Sequence, residues 1–74
     1  MLEQIIEIVS NQLKKEADQI SPSTNIMEDL GADSLDIFQI ISELEEEFEI
    51  EFSNEDAEKI KTVGDAVEYI KERI

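Results

Sequence analysis

Apolar residues recur at helical spacing in three separate stretches, and this period restricts the fold of the chain more than any other feature. Leu2, Ile5, Ile6, Val9 and Leu13 fall at i, i+3, i+4, i+7 and i+11. Ile37, Ile40, Ile41, Leu44 and Phe48 form a second stripe, and Val63, Ala66, Val67, Ile70 and Ile74 a third. Strand-like alternation is confined to the brief FEIEF around Ile50. A chain of 74 residues has room for one domain with a thin core. Chains this short need disulfides, a metal or very regular packing to hold together. This one has no cysteine and no histidine, which removes disulfides, thiolate zinc sites and the commonest metal ligand. Regular packing of helices is what remains.

The helix starts are marked by a repeated spacing. Asp33 with Asp36, Ser53 with Asp56, and Thr62 with Asp65 each place a capping residue three positions before a carboxylate. They predict a helix from about Ser34 to Glu49, a short one after Ser53, and a last one after Thr62. Lys14 and Lys15 at the end of the first helix, and Lys71 and Arg73 at the end of the last, suit the negative pole of a helix dipole. The connection EADQISPSTNIMEDLGAD contains Pro22 and Gly31 and is long for a compact domain. Ile20, Ile26, Met27 and Leu30 are expected to pin it to the core. The pattern therefore predicts an all-α chain of four helices, one of them short, with a long first loop, as a single domain over residues 1–74.

Net charge is −14, from 20 acidic and 6 basic residues. Fifteen of the acids lie between Glu16 and Glu58, where there is no lysine or arginine. Such a field repels nucleic acid and anionic membranes and attracts basic protein surfaces; acidity for solubility alone is the plainer alternative. No apolar run approaches the roughly 20 residues that span a bilayer. No basic region followed by an apolar run opens the chain, so a cytoplasmic location is expected. On the second helix, Gln39, Glu43, Asp36, Glu46 and Glu47 gather opposite the apolar stripe. Leu35 stands isolated between them and Ser34. No cation sits at i+4 to support these glutamates. The arc is either a solvated face or a docking surface for a basic partner.

Catalysis by the chain itself is not supported. Without histidine, Ser34 has no usual general base, and the six basic residues lie far from it in sequence. Carboxylate pairs are abundant at this composition and single out no site. Neither a calcium loop nor a phosphate-binding glycine loop is present, and so small a core is expected to hold no deep catalytic pocket. A chain without reactive groups can still serve chemistry by carrying a prosthetic arm. A serine at a helix N-terminus suits a phosphodiester, because free N–H groups and the dipole favour its negative charge. With Asp33 assigned to the cap, the Ser34 hydroxyl is left free in the first turn; the alternative is that Ser34 merely helps start the helix.

DLGADSLD, then ELEEEFEIEF, then NEDAEKIKTVGDAVEYI resembles the acyl carrier proteins across nearly the whole chain. The resemblance implies an antiparallel four-helix bundle and a monomer. It implies that a holo-carrier synthase attaches 4′-phosphopantetheine from coenzyme A to Ser34. Acyl chains would ride on the arm's thiol as thioesters. It also implies an apolar cavity beside the second helix, for which Phe38, Ile41, Ala57, Ile60 and Tyr69 are the expected lining. Asp33, Leu35, Asp36, Glu45 and Glu46 match positions that dock basic patches on malonyl transferase and other fatty-acid-synthesis enzymes. Three residues depart from the usual pattern: Gln39 replaces a glutamate, Ser42 an apolar residue, and Phe38 the smaller valine. They leave open a carrier for another cargo, such as an aminoacyl group for cell-wall modification or a polyketide intermediate. An unmodified acidic interaction module is a third reading, and it needs no serine hydroxyl.

Overall fold

The computed structural model describes residues 1–74 as four helices joined by irregular segments. They are α1 (Leu2–Leu13), α2 (Ser34–Phe48), α3 (Asn54–Lys59) and α4 (Val63–Arg73). The three predicted caps form. In α2 the Asp36 N–H donates to Asp33 Oδ1 at 3.0 Å, and the Asp33 N–H donates back to Asp36 Oδ2 at 3.3 Å. Thr62 and Asp65 make the same reciprocal box on α4, with both bonds at 3.1 Å. Ser53 Oγ accepts from the Asp56 N–H at 3.1 Å to open α3. Each cap satisfies N–H groups that the first helical turn cannot.

Helix ends depart from expectation in one respect. Lys14 lies past the last turn of α1, in the left-handed region at φ 57°, and Glu49 ends α2 the same way at φ 55°. Glycine usually fills such positions. The lysines therefore flank α1 rather than line its final turn.

α1 packs against α2 and against α4. Ile5 and Val9 meet Ile37, Ile40, Ile41 and Leu44 of α2 and Val63, Ala66 and Ile70 of α4 in a single buried cluster. Burying each of the larger side chains contributes about 1.5–3 kcal/mol. Phe48 and Val67 are half-buried at its edge, whereas Ile74 is 67% exposed because α4 ends at Arg73. α3 adds only Ala57, with Ile60 at its end, and its backbone stays outside the close helix packing.

The long connection is not shapeless. It makes one 3-10 turn at Ala17–Gln19 and then runs against the α3–α4 link. There the Ile26 N–H donates to the Lys61 carbonyl at 2.9 Å, and the Val63 N–H to the Thr24 carbonyl at 3.2 Å. Asn25 and Thr62 form an isolated antiparallel bridge between these contacts. Ile20, Ile26 and Ala32 are buried and Leu30 is half-buried, but Met27 is 46% exposed. Met27 sits in the turn over residues 26–30, closed by the Asp29 N–H on the Asn25 carbonyl at 2.8 Å, and the turn leaves its side chain outward of the buried Ile26.

Candidate functional site

Ser34 is the first residue of α2, exposed, and takes no part in the cap that Asp33 and Asp36 complete between them. Gly31, at φ +72°, turns the chain just before it, a backbone conformation that glycine adopts without strain. The N–H groups of Ser34 and Leu35 lie in the first turn, outside both the capping box and the helical ladder.

Ser34 borders an open cavity of about 450 Å³ between α2, α3 and the long connection. Its apolar wall is Met27, Ile37, Phe38, Ala57 and Ile60, and Asn25, Glu28, Glu58 and Lys61 supply the polar rim. The thin core thus leaves an open hollow beside α2 rather than a deep, enclosed pocket. The cause is α3, which offers one alanine and one isoleucine where a longer helix would fill the space. An exposed hydroxyl, free N–H groups beside it and an adjoining apolar hollow fit a phosphate-linked arm with an acyl chain.

Of the five expected lining residues, the structure brings Phe38, Ala57 and Ile60 to this cavity. Ile41 is buried in the main core instead. Tyr69 lies elsewhere, stacked on Phe52 with ring centroids 4.2 Å apart. Its hydroxyl donates to Asp56 Oδ2 at 2.8 Å, and Arg73 sits over its ring at 3.9 Å. Arg73 also pairs with Asp56 at 3.6 Å. The bond from Tyr69 holds the Asp56 carboxyl below the usual carboxylate range, with further help from Ser53 and Arg73. Loss of solvent contact, then the bond to that carboxylate, pushes the Tyr69 hydroxyl up.

Sequence reasoning missed Ile37 and Met27 as lining. Ile37 was legible, since it and Phe38 stand at i+3 and i+4 from Ser34 and share its side of the helix. Asn25 and Lys61 had no local signal, because the bridge between two distant segments puts them there.

The acidic face is less uniform than its charge. Leu35 is 74% exposed and Glu46 is exposed on the same helix. Asp33 and Asp36 are engaged in the cap, and Glu45 accepts from the Phe52 N–H at 2.8 Å, tying α2 to the segment before α3. Phe38 is 51% exposed at the cavity mouth, and Gln39 and Ser42 are exposed.

Comparison with known proteins agrees with this geometry. Residues 3–70 match the family described as phosphopantetheine attachment site. The chain is 51% identical to the acyl carrier protein of Enterococcus faecalis, over 93% of its own length and 87% of that chain, with a TM-score of 0.80. A provisionally assigned acyl carrier protein from Anaplasma phagocytophilum is 40% identical, covering 97% of this chain and 85% of that one, with a TM-score of 0.87. A similarly assigned protein from Mycobacterium tuberculosis is 37% identical over the full length of both chains, with a TM-score of 0.88. No helix is long and apolar enough to cross a membrane. By fold, by sequence and by the family it matches, the chain belongs to the acyl carrier proteins, non-catalytic carriers whose cofactor is 4′-phosphopantetheine.

Proposed function

We propose that Ser34 carries the 4′-phosphopantetheine arm and that the protein delivers acyl intermediates in cytoplasmic fatty acid biosynthesis. The observation that carries this reading is the division of labour at the start of α2. Asp33 and Asp36 complete the cap, and the exposed Ser34 hydroxyl is left beside an apolar cavity. A holo-carrier synthase would load the arm from coenzyme A. Leu35 and Glu46, free on the surface of α2, are the docking residues for basic patches on malonyl transferase and the other synthesis enzymes. Asp33, Asp36 and Glu45 add their charge to that field while holding the helix in place.

Incubation with coenzyme A and a holo-carrier synthase is expected to add the mass of one phosphopantetheine to the intact chain, and none to Ser34→Ala. An unchanged mass, or an equal gain in Ser34→Ala, defeats the assignment. The bulky, half-exposed Phe38 at the cavity mouth favours a second reading, a carrier for another cargo. Loading of the holo form by malonyl transferase supports fatty acid synthesis. Loading by an amino-acid-activating ligase, with no malonyl transfer, supports the other cargo.

A further inference from the structure

Lys61 is the residue whose location the sequence conceals most. No cation occurs from Glu16 to Glu58, yet the α3–α4 link returns Lys61 to the wall of the cavity that Ser34 borders. Its backbone is clamped on both sides. The Lys61 N–H donates to Asp65 Oδ2 at 3.1 Å, and its carbonyl accepts from the Ile26 N–H at 2.9 Å. The stem of the side chain therefore starts from a fixed point, while the residue as a whole is exposed.

Glu28 and Glu58 border the same cavity, but neither pairs with Lys61; the ion pair in this protein is Arg73 with Asp56. Lys59, two residues earlier, lines a different hollow with Asp56, Asp65 and Glu68. Lys61 is thus the cavity's single cation, unpaired, brought back against residues of the acidic middle of the chain.

We propose that Lys61 holds the phosphodiester of the loaded carrier, its ammonium pairing with the phosphate oxygens on Ser34 and drawing the arm over the α3 side of the cavity. This rests on Ser34 being the attachment point. A phosphate there adds negative charge between Asp33 and Asp36, and the free N–H groups of the first turn offer only partial positive charge against it. Lys61 supplies the full counter-charge. An ammonium on a flexible stem suits an anion that must also leave the cavity when the carrier docks, because it binds as a point charge without demanding one orientation.

The test compares apo and holo forms of the wild type, Lys61→Gln and Lys59→Gln. Lys59→Gln removes the same charge from the same end of α3 but not from this cavity. Intact mass first reports whether the arm is attached. In the attached wild type, the Lys61 Nζ and Cε resonances are expected to shift between apo and holo forms and to return toward the apo position in high salt. The phosphorus resonance of the arm is expected to move in Lys61→Gln and to stay at the wild-type position in Lys59→Gln. If the mass gain occurs but the Lys61 signals are the same in apo and holo protein, the pairing is overturned and Ser34 attachment stands. A phosphorus signal that responds equally to both substitutions overturns it as well, by showing a general field effect. Absence of the mass gain overturns the attachment reading and this inference together.

Discussion

At Gly64 a single missing carbon decides how two distant segments meet. A Cβ built there would stand 2.9 Å from the Pro22 carbonyl oxygen, and the Gly64 N–H donates to that same oxygen at 2.8 Å. Alanine favours a helix over glycine by about 1 kcal/mol, but forcing backbone aside costs about 1–3 kcal/mol. Gly64→Ala is therefore expected to lower the unfolding free energy by up to about 2 kcal/mol, measurable by urea denaturation; a more stable variant would show that Pro22 yields freely. Ser34 is the contrasting case. Its sequence setting announced the free hydroxyl, because the capping spacing of Asp33 and Asp36 is local and readable from four residues. Tyr69 was not readable in this way. Its position on α4 suited a cavity wall, and only the packing of Phe52, Asp56 and Arg73 around it shows that it ties α4 to α3.

Among the helices, α3 is the weakly held piece. It is 6 residues long, buries Ala57, and depends on side-chain links to α4 through the Tyr69–Asp56 bond and the Arg73–Asp56 pair. The direction of the pH effect follows from the two shifts. The Asp56 carboxyl titrates below its ordinary value of 3.8 in the folded chain, so its stabilising effect is present above that value. It is lost as pH falls through the lowered folded value. The Tyr69 hydroxyl titrates above its ordinary 10.0 in the folded chain, so its effect is full below that pH and disappears as pH rises through the raised value. Tyr69→Phe is expected to lower Tm at neutral pH, with the gap to wild type narrowing at both extremes. Thermal melts across pH check this; the absence of a gap at any pH would mean that stacking on Phe52, which phenylalanine keeps, is all that Tyr69 contributes. A gap that does not change with pH would assign the hydroxyl's effect to the Glu51 carbonyl instead of Asp56. The same weak attachment explains why the cavity opens where it does, since α3 supplies Ala57 and Glu58, with Ile60 and Lys61 following directly, to its wall.

For the whole molecule, charge outweighs every other influence outside the core. A net charge of −14 on 74 residues opposes the compact state, and a single ion pair offsets little of it. Raising monovalent salt from a few millimolar to physiological strength shortens the Debye length to about 8 Å. Tm is expected to rise on that change; a gain of about 1 kcal/mol corresponds to roughly 4–8 °C in a domain of this size. Calorimetry at fixed pH measures it, and a flat response would mean that the acids are already screened from one another by their spacing.

The helices, their caps, the apolar stripes, the acidic middle and the serine set free at the start of α2 were all legible in the residues alone. Each rests on interactions between positions three or four apart, which a chain displays wherever it folds. Packing of the complete chain, by contrast, turned Met27 outward, moved Tyr69 away from the cavity and brought Asn25 and Lys61 to its rim. Those outcomes follow from how the long connection pairs with the α3–α4 link and how little α3 fills. The paired segments lie far apart along the chain, so their meeting depends on the whole packing and leaves no periodic trace in the residues themselves.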